Sequence, residues 1–135
     1  SGSILYPIIV YTCYLAFEYF DALVFYYIPI LILAISDPIA AFVGKSWPRG
    51  KYTVFGMTKT LSGSLGFFLS SLLICSLLLI GVEALALDAA LILALSLSIG
   101  CTLAEALSHH GYDNLSIPYS ALLLLALSHF WFQLP

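Results

Sequence analysis

Residues 22–43 read ALVFYYIPILILAISDPIAAFV, an apolar run in which Asp37 carries the only formal charge. A run of about 20 apolar residues is the length that a helix needs to cross a bilayer. Pro29 and Pro38 interrupt the run, and proline inside a helix removes a hydrogen bond and bends the helix. The stretch therefore predicts a kinked transmembrane helix with a carboxylate near one end.

The rest of the chain has the same apolar character, with 62% hydrophobic residues, 8% charged residues and a mean hydropathy of +1.08. A soluble domain has about 25% charged residues, so this chain could not cover a surface that faces water. Its apolar runs are continuous, whereas the strands of an outer-membrane barrel alternate. We predict an all-α fold, a polytopic integral membrane bundle of about five transmembrane helices in a single domain, residues 1–135. The predicted runs are 4–17, 22–43, 62–80, 89–107 and 117–132.

A basic segment follows the second run and reads GKSWPRGKYTVFGMTKT, residues 44–60. Basic loops stay on the cytoplasmic side of a membrane, which places this segment in the cytoplasm. The segment either only sets that orientation or also binds an anion such as a nucleoside triphosphate. We predict a nucleotide-binding loop over residues 44–64. All four cationic residues of the chain lie in it: Lys45, Arg49, Lys51 and Lys59.

Counting the spans from that loop divides the carboxylates between the two membrane faces. Asp37 lies about 10 Å down its helix from Gly44, and a second polar loop, residues 105–118, returns to the cytoplasmic side with Glu105 and Asp113. Three carboxylates and four cations therefore meet at one face. The remaining acidic residues fall at the opposite face, where they are interpreted as solvated helix ends: Glu18, Asp21, Glu83 and Asp88.

The carboxylates of the cytoplasmic face have two interpretations. Ionised groups below the membrane surface are costly and usually face the bundle interior or a water-filled cavity. Asp37, Glu105 and Asp113 would then be ligands or supporting groups for Mg²⁺, which prefers carboxylate and phosphate oxygens. The alternative is that they are helix-end residues solvated by lipid headgroups.

Small and polar residues near the loops leave similar alternatives. Gly63 and Ser64 open a helix whose free N–H groups would favour phosphate, or Ser62 is a plain N-cap. Asn114 is either a cap or a contact to nucleotide or metal. Glu105 and His109, with His110 beside them, form only a weak transition-metal pattern. Small residues at a spacing of four predict a helix contact rather than a substrate groove: Ser96, Gly100 and Ala104.

Four short motifs follow one another along the chain: Asp37-Pro38-x-Ala40-Ala41-x-x-Gly44-Lys45, Lys59-Thr60-x-x-Gly63-Ser64, Ala104-Glu105-Ala106-Leu107 and Asp113-Asn114-Leu115-x-x-Pro118. In this order they resemble the polyprenol kinase family, which includes dolichol kinases, phytol kinases and CTP-dependent diacylglycerol kinases. The likeness covers about residues 34–125. Two positions depart from the family pattern: Ser36 stands where glycine is common, and Ser62 where glutamate is common.

The resemblance implies transfer of the γ-phosphoryl group of CTP to the hydroxyl of a membrane lipid alcohol, with Mg²⁺ as cofactor. Residues and resemblance together predict three sets. The catalytic set is Asp37, Lys59, Glu105 and Asp113. The nucleotide-binding set is Lys45, Arg49, Lys51, Lys59, Thr60, Gly63, Ser64 and Asn114. The metal-binding set is Asp37, Glu105 and Asp113.

The predicted partners are a lipid alcohol (phytol, polyprenol, dolichol or diacylglycerol), a nucleoside triphosphate and the lipid bilayer. No nucleic acid is expected, and a homo-oligomer is left open. Two other functions compete with the kinase. One is a phosphatidate cytidylyltransferase that makes a CDP-lipid, and the other is a non-catalytic membrane subunit or transporter. The chain shows no paired internal repeat of the kind that many transporters have.

Overall fold

The computed structural model describes residues 2–109 and 111–132, which form a bundle of long helices with one small β-hairpin. The elements are α1 (Gly2–Phe20), α2 (Val24–Leu31), a π-helical segment (Ile32–Ser36), α3 (Asp37–Ser46), β1 (Lys51–Val54), β2 (Met57–Thr60), α4 (Leu61–Leu77), a second π-helical segment (Leu78–Val82), α5 (Leu87–Leu107) and α6 (Asp113–Phe132).

The long helices have the dimensions of membrane spans. Four meet both the length and the composition that crossing a bilayer requires in the described part of the chain: Ser3–Phe20, Val24–Ser46, Leu61–Val82 and Leu87–Leu107. The fifth, α6, has 20 residues, which at 1.5 Å per residue is about 30 Å, the thickness of the hydrocarbon core. The prediction of an all-α membrane bundle is confirmed, and the protein is an integral membrane protein.

Helix α4 is apolar on all sides, with one stripe of side chains buried in the bundle and another exposed on its surface. Its buried stripe consists of Gly63, Phe67, Ser71 and Cys75. The opposite stripe is exposed and consists of Leu61, Leu65, Leu69, Leu73 and Leu77. Both stripes repeat every four residues, so a helix that is hydrophobic all round presents small or aromatic side chains to its neighbours and leucine to lipid.

The helices pack mainly in chain order. α1 packs on α2, α4 lies between α3 and α5, and α5 packs on α6, which returns to contact α1 and α2. Gly100 of α5 faces α6, because a Cβ at this position would lie 2.4 Å from Cδ1 of Leu124. The small-residue pattern around Gly100 therefore marks a helix contact, as its spacing predicts.

The sequence predicts a bend in the second span, and the structure has an irregular turn between Pro29 and Pro38, while the bend itself stays a prediction. Val24–Ser46 is continuous, but the π-helical segment Ile32–Ser36 separates its two α-helical parts. Pro38 stands near the start of α3, where the N–H that proline lacks would have had no regular α-helical partner. Asp37 is thus the first residue after an irregular turn, a setting that recurs at functional sites.

The connections α1–α2 and α4–α5 lie at the opposite end of the bundle from the basic segment. Asp21 lies in the α1–α2 connection and has a positive φ of 51°. The Tyr27 hydroxyl donates to Oε1 of Glu83 at 2.5 Å and ties α2 to the end of the second π-helical segment. The acidic residues of these connections therefore lie at the end of the bundle away from the basic segment.

The basic segment is not an irregular loop, which corrects the prediction for residues 44–64. Strands β1 and β2 pair antiparallel, with Lys51 opposite Thr60 and Val54 opposite Met57. Phe55 and Gly56 form the turn with φ values of 49° and 80°. The β-branched and aromatic residues on either side of this Phe-Gly pair favour strands, a short-range signal that the charge of the segment masks.

The start of α4 rules out the alternative in which Ser62 is its N-cap. The cap is Thr60, whose Oγ1 accepts from the N–H of Gly63 at 3.0 Å. Ser62 lies inside the first turn, and its hydroxyl donates to the carbonyl of Trp47. It therefore fastens the end of the α3 connection to α4 instead of capping the helix.

Candidate active site

A cavity of about 300 Å³ opens at the end of the bundle that carries the hairpin. It brings together most of the predicted site residues from four parts of the chain: α3, β2, the start of α4, and the facing ends of α5 and α6. Its lining consists of Asp37, Ala40, Ala41, Gly44, Lys45, Thr58, Lys59, Thr60, Gly63, Ser64, Glu105 and Asp113. The convergence of Asp37, Lys59, Glu105 and Asp113 at one mouth is confirmed, while their chemical roles stay predictions.

Two glycines allow the helices around the cavity to approach closely. A Cβ on Gly63 would lie 2.9 Å from the carbonyl oxygen of Ala40, and one on Gly44 would lie 2.9 Å from Oγ1 of Thr60. Such distances require a shift of the backbone or of a capping hydroxyl. The Gly44–Gly63 crossing therefore sets how α3 lies against α4, and with it the position of Asp37 relative to the hairpin.

Lys59 is held by the end of α5. Its Nζ donates to Oε1 of Glu105 at 3.2 Å, to Oγ of Ser108 at 3.1 Å and to the backbone carbonyl of Glu105. An ammonium group has three donors, so all of them are engaged. A cation also complements the unpaired carbonyls and the negative dipole at the C-terminal end of a helix. Lys59 thus fastens the hairpin to α5 while placing a positive charge in the cavity wall.

The carboxylates form a second group beside this ion pair. Asp37 and Asp113 both line the cavity, and Asp113, Glu105 and Lys59 are all near enough to interact with Asp37 electrostatically. Oε2 of Glu105 is buried and has no hydrogen-bond partner among the described residues. Like charges in contact repel unless a proton or a cation lies between them, so the arrangement favours a positive species at the Asp37–Asp113 pair.

The metal prediction can be tested against this geometry. Among residues 2–109 and 111–132, no group of three or more His, Cys, Asp or Glu side chains could hold a metal ion alone. Mg²⁺ is commonly bound by one or two carboxylates together with substrate phosphates and water. The Asp37–Asp113 pair fits that mode, whereas Oε1 of Glu105 is already engaged by Lys59.

The remaining predicted nucleotide contacts fall into two classes. Lys45 lines the cavity and its side chain is exposed. Arg49 and Lys51 are also exposed but do not line the cavity. Asn114 does not line it either, and its backbone N–H bonds to Oδ1 of Asp113 and the carbonyl of Gly111. Arg49, Lys51 and Asn114 are therefore close in sequence to residues that line the cavity but are not part of its lining.

Two protein groups that are predicted to bind phosphate, the Gly63 amide and the Ser64 hydroxyl, already have hydrogen-bond partners in the protein. The amide of Gly63 donates to Oγ1 of Thr60, and the hydroxyl of Ser64 bonds to the hydroxyl of Tyr52 at 2.6 Å. The Tyr52 bond joins the hairpin to α4. Both Gly63 and Ser64 line the cavity, and their contact with phosphate stays a prediction that requires these bonds to be exchanged.

Two site residues escaped the sequence analysis. Ser108 accepts a hydrogen bond from Lys59, and Thr58 lines the cavity. Thr58 neighbours Lys59 in a strand that was predicted as a loop. Ser108 directly follows the last turn of α5, where a hydroxyl near the unpaired carbonyls of a helix end is a signal for a supporting contact.

The structure does not support the weak transition-metal pattern of Glu105 and His109. α5 ends at Leu107, so the two residues do not share one helical face. The His109 ring instead packs against Phe55, with ring centroids 4.6 Å apart, and against Tyr112 at 5.5 Å. His110, the other half of that pattern, lies outside the described residues.

Comparison with known proteins points to a family. The chain is 36% identical over 112 residues to a phytol kinase of Synechocystis sp., an overlap of 80% of this chain and 46% of that protein. This similarity supports a relationship to the polyprenol and phytol kinase family. The chain spans about half the length of the curated relative it matches. No family model matches the chain, and no solved structure matches it.

The two departures of this chain from the common family pattern lie in different places. Ser36 is buried in the π-helical segment next to Asp37, and its Oγ has no hydrogen-bond partner in the described residues. Ser62 does not line the cavity, and its hydroxyl is occupied by the α3 connection. Ser62 therefore fastens the α3 connection to α4 and supplies no oxygen to the cavity beside the carboxylates.

Proposed function

We propose that this chain carries the phosphoryl-transfer site of a lipid-alcohol kinase, which moves the γ-phosphoryl group of a nucleoside triphosphate to the hydroxyl of a membrane alcohol. By family resemblance the donor is CTP and the acceptor is an isoprenoid alcohol or diacylglycerol. The supporting observation is the cavity where three carboxylates and two lysines meet at one end of an apolar bundle.

The cations bind and orient the donor. Lys45 is exposed at the cavity and contacts the triphosphate directly, while Arg49 and Lys51 raise the positive potential on its approach. Lys59 supplies fixed positive charge, and a phosphate oxygen that replaces the hydroxyl of Ser108 would contact its ammonium group. Charge neutralisation by fixed groups is the main means by which proteins catalyse phosphoryl transfer.

Asp37 and Asp113 hold Mg²⁺ in this proposal, with Glu105 supporting the site through Lys59. Mg²⁺ held by these two carboxylates would supply positive charge to offset the negative charge that develops on the phosphate oxygens. The close approach of the two aspartates is what fits them to a cation. Lys59 keeps Glu105 from adding a further uncompensated charge beside them.

The acceptor reaches the same cavity from the bilayer. Ala41 of α3 is exposed and also lines the cavity, so this face of α3 joins the site to the lipid-facing surface. The alcohol oxygen forms a bond to the γ-phosphorus while the bond from that phosphorus to the bridging oxygen breaks, and the nucleoside diphosphate leaves. Asp37 is the proposed acceptor of the hydroxyl proton, and the site faces the cytoplasm because it carries the basic segment.

Product identity tests the proposal. The purified chain in lipid vesicles is given Mg²⁺, CTP or ATP labelled at the α- or γ-phosphate, and a panel of phytol, a polyprenol, diacylglycerol and phosphatidate. The expected result is γ-label on a lipid alcohol with release of nucleoside diphosphate, lost in Asp37→Asn. Transfer of α-label to phosphatidate with release of pyrophosphate would identify a cytidylyltransferase instead. No transfer to any lipid would overturn the proposed activity for this chain.

A further inference from the structure

We infer that Phe55 and Tyr112 form a stacking platform for the nucleobase of the donor, placed at the rim of the cavity by the hairpin. The inference rests on the proposed function, because it assigns a binding site to the base of the same nucleoside triphosphate whose phosphates are proposed to enter the cavity. The ring of His109 joins the two aromatic residues, with centroids 4.6 Å from Phe55 and 5.5 Å from Tyr112.

Phe55 and Tyr112 are each close along the chain to a residue that lines the cavity. Tyr112 directly precedes Asp113, which lines the cavity. Phe55 lies at the tip of the hairpin whose second strand carries Lys59, and Lys59 is bonded to Ser108, next to His109. A ligand that fills the cavity with its phosphates therefore has this cluster within reach.

The reach along the hairpin agrees with the dimensions of a nucleotide. Lys59 lies four positions after Phe55, which at about 3.3 Å per residue in a strand is at most about 13 Å, because Phe55 and Gly56 belong to the turn. This span is comparable with an extended triphosphate and ribose. A γ-phosphate near Lys59 would then leave the base near Phe55, because the intervening atoms follow strand β2.

The rings are available to a ligand despite their contacts with His109. The exposed fraction of Phe55 is 69%, and that of Tyr112 is 51%. Stacking on exposed aromatic faces is how proteins bind bases without reading their edges. The cationic residues Lys45 and Lys59 in the adjoining cavity supply the charge that complements the triphosphate.

The conformation of Phe55 is a separate reason to assign it a role. The turn has positive φ at both central residues, 49° at Phe55 and 80° at Gly56. A hairpin of this kind favours Asn-Gly or Asp-Gly, and a bulky residue with positive φ is an outlier. Residues kept in costly conformations cluster at ligand sites, so the aromatic side chain has a use that outweighs the strain.

The same rings would also suit a membrane interface, where aromatic residues are common. The two explanations differ in what the rings contact, a base or a headgroup. Contact with a base is favoured because the cluster adjoins residues with phosphate-binding chemistry. Comparing a nucleoside triphosphate with inorganic tripolyphosphate separates them, since tripolyphosphate has the same charged part and no base.

The experiment measures binding of CTP, ATP and tripolyphosphate, each with Mg²⁺, to the full chain in vesicles. Phe55→Asn places the favoured Asn-Gly pair in the turn, so we expect the hairpin to be retained. Its dissociation constant for the nucleotides should rise at least fivefold, while that for tripolyphosphate stays within twofold. Phe55→Tyr is the matched control and should bind nucleotides like the parent. Tyr112→Ala should behave like Phe55→Asn, and Tyr112→Phe like the parent.

Three outcomes would overturn the platform. Equal loss of nucleotide and tripolyphosphate binding in Phe55→Asn would show a general effect on the cavity or the membrane interface. Unchanged nucleotide binding in both Phe55→Asn and Tyr112→Ala would show that the rings do not contact the base. Failure of the parent to bind any nucleotide would overturn both platform and kinase. If the parent binds nucleotide with the expected Phe55 dependence but transfers nothing to lipid, the platform stands and only the kinase proposal fails.

Discussion

Replacing Lys59 by methionine should destabilise the protein in a way that a second substitution repairs. Methionine keeps most of the length of the side chain but removes the ammonium group that donates to Glu105 and Ser108. The Glu105 carboxylate then loses its charged partner, although one of its oxygens already has no hydrogen bond among the described residues. Glu105→Gln in the same chain removes the charge that would be left alone.

The magnitude follows from the burial of the pair. Breaking a fully buried ion pair by removing one partner costs about 3–5 kcal/mol. The exposed fractions of the Lys59 and Glu105 side chains are 17% and 12%, so water in the cavity partly screens the pair. We therefore expect a cost of about 2–3 kcal/mol, below that of a fully buried pair. Glu105→Gln alone should cost about 1 kcal/mol, because an amide oxygen still accepts from Lys59. The double variant should recover about 1–2 kcal/mol relative to Lys59→Met.

The assay is unfolding in mixed micelles by increasing sodium dodecyl sulfate, followed by circular dichroism, with transfer to lipid measured in parallel. Lys59→Met should unfold at the lowest detergent fraction, and the double variant at a higher one. Both should lack transfer, because the positive charge of the cavity wall is gone. A Lys59→Met protein as stable as the parent would refute the ion pair. Recovery of transfer in the double variant would show that Lys59 only supports the structure.

Three further substitutions test other parts of the structure. Asp113→Asn should raise the Mg²⁺ concentration for half-maximal transfer about tenfold, which is about 1.4 kcal/mol, and should stabilise the metal-free protein because one of two adjacent like charges is removed. An unchanged Mg²⁺ titration would exclude Asp113 as a ligand. Gly63→Ala should cost about 1–3 kcal/mol through overpacking at the helix crossing. Its control is Gly81→Ala, where a Cβ meets nothing within 4 Å, so its free energy of unfolding should be unchanged or slightly raised. Equal changes in the free energy of unfolding of Gly63→Ala and Gly81→Ala would contradict a close approach of the helices at Gly63. Tyr27→Phe should cost about 1.5–3 kcal/mol, the value of a hydrogen bond to a charged group, with unchanged transfer; a loss of transfer would contradict the separation of the two ends.

The sequence was sufficient to predict the bundle because the bilayer restricts the alternatives. Backbone polar groups in hydrocarbon must be satisfied within the segment, so a continuous apolar run of span length becomes a helix. Positive charge fixed the relative sides of the loops, and counting spans then placed Asp37, Glu105 and Asp113 together. This reasoning uses only chain order, and for that reason it located the mouth without any knowledge of side-chain contacts.

The same reasoning could not predict how the groups at the mouth are paired. Lys59 was expected to meet phosphate, whereas in the structure its donors meet Glu105 and Ser108. Those partners lie 46 and 49 residues away along the chain, and their distance depends on how α4 packs on α5. Span counting fixes the end of a helix but not its rotation, so pairings between helix ends stay open until the packing is known.

The hairpin was missed for a different physical reason. A segment with four cations between two apolar spans fits a solvated loop, and its charge hides the alternation of Tyr52 and Val54 with Lys51 and Thr53. The strands are only four residues each, so a two-stranded ribbon of this size needs packing or tethers to persist. The Tyr52–Ser64 and Lys59–Ser108 bonds are such tethers, and neither can be read from local sequence.

The tethers give the cavity a dependence on charge that a purely apolar bundle would lack. The Lys59 ammonium joins the hairpin to α5, while Asp37 and Asp113 join α3 to α6 only if a proton or a cation offsets their repulsion. The first junction is complete within the chain, but the second requires something added. A cation at Asp37 and Asp113 would therefore bind the triphosphate and also draw α3 toward α6. The geometry on which the proposed phosphoryl transfer depends should accordingly be tightest when the proposed donor and metal are present together, because each supplies charge that the other requires.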